Sequence, residues 1–194
     1  MTRPEVKALT PAEEEAAIHT IMLAFAADPM ARWCWPDPHA YVSTMPAFTR
    51  AFAGAGFGRG GAFYTEGHAG AALWLPPGTS PDDERMAELM EHAIPRPILS
   101  EALAVMEQMA ACHPDDPHWY LPLIGVDPAH QNKGHGDALM RHVLEGCDAE
   151  HAAAYLESSN PRNIPFYRRH GFEPLTTIQV GSSPPIVPML RKPR

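Results

Sequence analysis

An α/β fold is what this sequence predicts, and three observations carry the prediction. The last third alternates apolar strand runs with an amphipathic helical run: Trp119 to Val126, Asp137 to Glu150, then Ala153 to Glu157. That order packs helices against a sheet. Helix-start signals precede the earlier apolar stripes, at Thr10-Pro11-Ala12-Glu13 and at Ser80-Pro81-Asp82-Asp83. A chain of 194 residues buries roughly 70% of the surface its unfolded form exposes. One domain over residues 1–194, with room for an internal cleft, is therefore expected, and neither a long linker nor an internal repeat is visible.

In order along the chain, Thr10, Pro11 and Glu13 have the N-cap, N1 and N3 chemistry of a capping box, and Ile18, Ile21, Met22 and Phe25 follow at helical spacing. This helix is expected to end near Asp28-Pro29. A second runs from Ala40 to Ala53, bent or broken by Pro46, and the Gly-rich stretch Gly54 to Gly61 stops it. Ala62 to Thr65 and Ala71 to Leu75 flank Gly67-His68 and read as a hairpin closed by Pro76-Pro77-Gly78. A helix capped from Ser80 carries Met86, Leu89 and Met90 until Pro95 and Pro97. Another carries Ile98, Leu99, Ala102, Leu103, Met106 and Met109 and stops before His113-Pro114; its methionine stripe reads as core packing rather than a binding surface. After the central strands, Pro165 to His170 is a short helix, and Thr176 to Val180 with Ile186 to Leu190 are closing strands.

Composition removes several classes of function. Lys and Arg number 15 against 23 Asp and Glu, a net charge of −8, whereas binding a phosphate backbone needs the opposite excess. No nucleic-acid partner is expected. The three cysteines, Cys34, Cys112 and Cys147, are odd in number and unpaired in spacing, so neither a disulfide framework nor a cysteine zinc site is suggested. No apolar run approaches the ~20 residues of a membrane helix, and the first residues lack a signal-peptide core. The expectation is a cytoplasmic protein without a membrane partner, either a monomer or a homodimer.

Between the strand ending at Val126 and the next helix lies Val126-Asp127-Pro128-Ala129-His130-Gln131-Asn132-Lys133-Gly134-His135-Gly136. Gly134 and Gly136 permit positive φ and close backbone approach, so successive N–H groups can cradle an anion at the helix N-terminus. A diphosphate suits that geometry; a Gly-rich turn is the plainer alternative. The dinucleotide pattern G-x-G-x-x-G and the P-loop pattern are both absent from this junction. The segment V-x-P-x-x-Q-x-x-G-x-G resembles the acyl-CoA pyrophosphate loop of GNAT N-acyltransferases. That resemblance implies a mixed, largely antiparallel sheet with two splayed parallel central strands, flanked by helices, and acetyl-CoA as co-substrate. It also implies cofactor contacts from Gln131, Asn132, Lys133, Gly134, His135, Gly136 and Asp137. Pro122 cannot donate to a ladder and signals a bulge or break, as the splay requires. The main-chain groups of Ile124 and Val126 would then face the pantetheine arm, with the Ile124 N–H as donor to the thioester carbonyl.

A second segment, Leu156-Glu157-Ser158-Ser159-Asn160-Pro161-Arg162-Asn163-Ile164-Pro165-Phe166-Tyr167-Arg168-Arg169-His170-Gly171-Phe172, resembles the family's other signature: Asn, Tyr seven residues later, then Gly-Phe. Its details, with Trp119-Tyr120-Leu121 upstream and more loosely Ala24 to Pro29, look most like the puromycin N-acetyltransferase-like branch. The resemblance implies that Asn160 and Asn163 contact the cofactor and that Tyr167 protonates the departing thiolate, a phenol acting locally as general acid. A tyrosine packed at a helix end is the structural alternative for Tyr167, and a turn-forming role the alternative for Asn160. Arg162, Arg168 and Arg169 could approach the adenosine phosphates or remain solvated.

The reaction so implied is direct attack of a primary amine, of a small molecule, on the thioester through a tetrahedral intermediate. An alkylammonium must first lose a proton. Glu157, His118, Tyr120 and the Trp119 carbonyl are candidate acceptors, with Glu157 favoured. No histidine pair has helical zinc-ligand spacing with a carboxylate, and no metal is expected. The acceptor pocket should draw on Phe25, Asp28, Trp33, Trp35, Tyr64 and Trp74, together with Tyr120, a set suited to an apolar amine carrying positive charge. Two rivals use the same cofactor loop: a protein or peptide N-acetyltransferase, and a non-catalytic acyl-CoA-binding regulatory protein.

Overall fold

The computed structural model describes residues 3–194. Among these, seven strands form one sheet in the order β1-β2-β3-β4-β5-β7-β6: β1 Val6–Ala8, β2 Ala62–Thr65, β3 Gly70–Leu75, β4 His118–Val126, β5 Ala153–Ser158, β6 Glu173–Pro174 and β7 Val187–Arg191. Every neighbouring pair is antiparallel except β4 with β5, which run parallel at the centre. Five helices, α1 Glu14–Phe25, α2 Pro29–Cys34, α3 Pro38–Ala53, α4 Asp83–Ala93 and α5 Arg96–Cys112, lead into β4. Two more, α6 His135–Ala149 and α7 Ile164–Arg169, follow β4 and β5. None is long and apolar enough to cross a membrane among the described residues.

Strand alternation distributes the apolar side chains between two cores. On β3, Leu73 and Leu75 join the α1–α5 core, while Ala72 and Trp74 join the one beneath α6 and α7. On β5, Tyr155 belongs to the first and Ala154 and Leu156 to the second, so Glu157, two residues after Tyr155, shares the face of the first.

Several expected boundaries move. The capping box forms, with the Glu13 carboxylate accepting from the Thr10 N–H at 2.9 Å and hydroxyl at 2.8 Å, but Asp28-Pro29 is a beginning as well as an end. Asp28 accepts from the amides of Met30 and Ala31 and Pro29 occupies the first turn of α2, a helix the apolar periodicity did not reveal. Pro46 neither breaks nor ends α3. The missing bond would have terminated on the carbonyl of Val42, which is 58% exposed and so open to water. The cap of α4 is Asp82, accepting from the Arg85 amide, rather than Ser80. Thr176 to Val180 is not a strand: one bridge joins Ile178 to Ile186. The turn beyond it is held instead by Ser182, whose amide and hydroxyl donate to Glu101 on α5 at 2.8 and 2.7 Å, and β6 takes the edge position. β1 also went unforeseen, being three residues long and mostly exposed.

Candidate active site

Pairing between β4 and β5 stops at Leu121–Leu156, although both strands continue. Pro122 lies in a bulge where β4 gains a residue on β3, between the pairs Leu73–Leu123 and Leu75–Tyr120. Beyond it the strands part. The Asp127 N–H donates to Ala69 O at 2.9 Å, so alternation turns the Gly125 and Leu123 amides toward β3 and those of Val126 and Ile124 into the gap. α1 closes one side of this gap at close range: a Cβ on Gly125 would lie 2.5 Å from the Ala24 Cβ. Only glycine lets the helix approach so near, and it brings Phe25 and Asp28 to the opening.

At the outer end of the gap the loop after β4 enters α6 through Gly134, whose φ of 89° is left-handed. No side chain caps this helix. Its intrahelical ladder begins with Ala138 N–H to Gly134 O, leaving the preceding amides of the first turn for an anion. Gln131, Asn132, Gly134, His135, Gly136 and Asp137 line the cavity here, with Arg162 and Arg169 across from them. Lys133 and Arg168 do not; the Lys133 ammonium donates to the Ala129 carbonyl at 3.0 Å. The Asp137 carboxylate is engaged by Arg141 at 2.9 Å, so a diphosphate would meet that residue's backbone amide rather than a free charge. The donor set fits a diphosphate followed by an extended, amide-bearing arm along Ile124 and Val126.

The same cavity, about 830 Å3 in volume, continues inward past Asn160, Asn163 and Tyr167 to an apolar chamber walled by Phe25, Trp33, Trp35, Met90, Met106 and Met109. Asn160 forms its turn, accepting from the Arg162 amide at 3.1 Å, which leaves its side-chain NH2 for a ligand. Tyr167 is 7% exposed. Burial first, and the charge of Asp28 second, push its phenol above the ordinary tyrosine range, so at neutral pH it holds a proton. The methionine stripe of α5 is at once core and pocket wall, a correction to its reading as packing alone.

Two acidic residues face the chamber. Asp28 accepts from the Met30 and Ala31 amides at 3.0 and 3.1 Å and, through its other oxygen, from the Ser159 hydroxyl at 2.8 Å; it ties α2 to the loop after β5. Its carboxyl is raised by burial, opposed by those same hydrogen bonds. Because the folded-state value lies above the unfolded one, the folded chain holds the extra proton between them, and stability falls as pH rises through that interval. Asp28→Asn removes this slope. Denaturant unfolding should therefore show Asp28→Asn gaining on the native sequence as pH rises above the ordinary aspartate range, and a gap that stays constant would refute the raised carboxyl.

The second is Glu157, with 2% side-chain exposure and Oε1 lying 3.2 Å from Nε2 of His113. Tyr120 and Tyr155 close around it: the His113 ring centroid is 4.5 Å from each of theirs. Tyr120 is thus a buried partner of Glu157, not part of the main cavity's lining. His113, at the end of α5, had no local signal. Two other pocket expectations fail. Trp74 is fully buried in the core beneath α6, because alternation points it to the opposite face of β3. Tyr64 donates to Glu13 at 2.5 Å and stacks on His68 at 4.4 Å, on the β1–β2 side away from the cavity. That bond and those from Thr10 lower the Glu13 carboxyl to about 2. Among the described residues no group of three acidic, His or Cys side chains is arranged to hold a metal.

Residues 102–172 match the acetyltransferase (GNAT) family. An uncharacterized N-acetyltransferase of Schizosaccharomyces pombe is 30% identical over 140 residues, which cover 64% of this chain and 57% of that protein; the match spans little more than half of the relative's length. A crystal structure of a histone acetyltransferase HPA2 and related acetyltransferase from Corynebacterium glutamicum superposes with a TM-score of 0.71 at 26% identity, covering 100% of this chain and 98% of the other. Polyamine N-acetyltransferase of Drosophila melanogaster shares the fold, with a TM-score of 0.65 at 15% identity over 97% and 99% of the two chains.

Proposed function

We propose, from the match of residues 102–172 to the acetyltransferase (GNAT) family, that the chain belongs to that family and, as one domain, transfers an acetyl group from acetyl-CoA to a primary amine of a small molecule. The observation that carries the reading is the continuity of one cavity from the uncapped start of α6, along the gap-facing amides of Ile124 and Val126, to the aromatic chamber. Gln131, Asn132 and Gly134 to Asp137, with Asn160 and Asn163, hold the cofactor. Phe25, Trp33 and Trp35 hold the apolar body of the amine. The signature from Asn160 to Phe172, with Trp119-Tyr120-Leu121, supports membership of the puromycin N-acetyltransferase-like branch.

The chemistry divides between three groups. The Ile124 N–H donates to the carbonyl oxygen as charge develops on it, a contact whose loss costs about 3 kcal/mol of barrier. Glu157 takes a proton from the ammonium so that nitrogen can attack. Tyr167 donates to the sulfur as the C–S bond breaks. An apolar aromatic chamber continuous with the cofactor cleft supports a small amine; the description of the Corynebacterium relative as a histone acetyltransferase supports a second reading, a protein or peptide amine.

Calorimetry should detect acetyl-CoA binding, and thiol release should accelerate on adding small apolar amines from a panel that also contains lysine-rich peptides. Binding with acceleration by peptides alone would replace the first reading by the second. No binding would end both.

A further inference from the structure

Beside the main cavity lies a second, about 330 Å3, between α4, α5 and β4, lined by His113 and Tyr120 at its inner end and by Ser80, Asp83 and Ala110 at its rim. Those three rim residues are exposed, so this cavity opens to solvent. Glu157 lines the first cavity and His113 the second, and their 3.2 Å contact is the partition between the two. The exposure gradient runs the same way, 2% for the Glu157 side chain and 28% for that of His113.

We infer that His113 takes the proton from Glu157 and delivers it to water through the second cavity, apart from the cofactor cleft. The inference rests on the acetyltransferase reading. As the N–C bond forms and the C–S bond breaks, the substrate ammonium loses two protons. One balances the proton given to the thiolate; the other must reach solvent. The cleft side is filled by cofactor and amine during this step, and Glu157 itself is enclosed. Five other groups lie around the pair: Asp83 from α4, Cys112 from α5, and the β4 and β5 side chains His118, Tyr120 and Tyr155. The two tyrosines are poor outlets, since burial first and the neighbouring Glu157 second push both phenols above their ordinary range. Asp83 sits at the rim. An imidazole, which accepts on one nitrogen and releases from the other, touches both the carboxylate and the open cavity. Oε1 of Glu157, the oxygen that faces His113, is buried and has no other hydrogen-bond partner, so the imidazole is the group placed to take its proton.

The test measures single-turnover thiol release with an amine found active on the native protein. His113→Ala should slow it by roughly 10²-fold, the lower end of proton-transfer catalysis, with calorimetric acetyl-CoA affinity unchanged. His113→Gln, which keeps a donor toward Glu157 but cannot relay a proton, should be equally slow. Added imidazole should restore His113→Ala through the second cavity, whereas pyrrole, of the same shape without a basic nitrogen, should not. Native-like rates in His113→Gln, or equal rescue by pyrrole, overturn the relay in favour of a positioning or packing role. If His113→Ala does not fold, the glutamine variant alone decides. Thiol release by the native protein with no amine at all accelerating it would remove the acetyltransferase reading itself, and the relay with it.

Discussion

Replacing Tyr167 with phenylalanine should lower the chemical step by about 10²–10⁴-fold, the range general acid catalysis contributes, while acetyl-CoA affinity stays close to that of the native protein. The ring is anchored independently of the hydroxyl: Phe166 lies 5.3 Å and Phe172 6.3 Å from it, centroid to centroid. Among the described residues no hydrogen bond engages that hydroxyl within the protein, and the residue lines the cavity. Removing one oxygen therefore leaves packing intact, and stability should change little. A packed structural tyrosine would give the opposite pair of results. An acyl-CoA-binding regulatory protein would show no turnover in either the native or the variant chain. Single-turnover thiol release is the deciding measurement, because slow product release can hide a loss in kcat.

The two halves of the site differ in how they could be read from sequence, and the difference is physical. The cofactor half is local. Gly134, the turn before it and the helix after it are contiguous, so backbone conformation and motif spacing are the same information. Pro122 reported the bulge because a missing N–H has a direct structural consequence. The acceptor half is assembled across the chain: Asp28 meets Ser159 131 positions away, and Trp33 donates to Ser182 149 positions away. No periodicity encodes such meetings. Trp74 and Tyr64 were plausible pocket walls by residue type, but which face of a strand looks into the cavity depends on sheet order and on the core it packs against. His113 illustrates the same limit from the other side. Its place beside Glu157 follows from where α5 ends relative to a strand 40 residues later, so neither its neighbours in sequence nor a metal-ligand spacing could point to it. The methionines of α4 and α5 pack in the core, and core and chamber share that wall, so an apolar stripe alone does not distinguish the two.

Gly134→Val should weaken acetyl-CoA binding by about 10²-fold, equivalent to ~2.7 kcal/mol, a loss larger than its cost to folding. A Cβ at this position would meet little, the nearest neighbour being Pro4 Cδ at 3.6 Å, so crowding is not the obstacle. The obstacle is φ of 89°: an L-residue held in the left-handed region costs roughly 1–3 kcal/mol, and a β-branched one stands at the unfavourable end. The chain relieves that strain most easily by rotating the 134–135 peptide, since no side-chain cap holds the start of α6. That rotation swings the first-turn amides away from their common focus, and anion binding depends on their convergence. Asparagine, which tolerates left-handed φ, should retain most of the affinity, and alanine should fall between asparagine and valine. Calorimetry with acetyl-CoA, paired with denaturant unfolding of each variant, separates the two losses. A folded Gly134→Val protein that binds acetyl-CoA as tightly as the native one would show that the diphosphate does not sit on these amides.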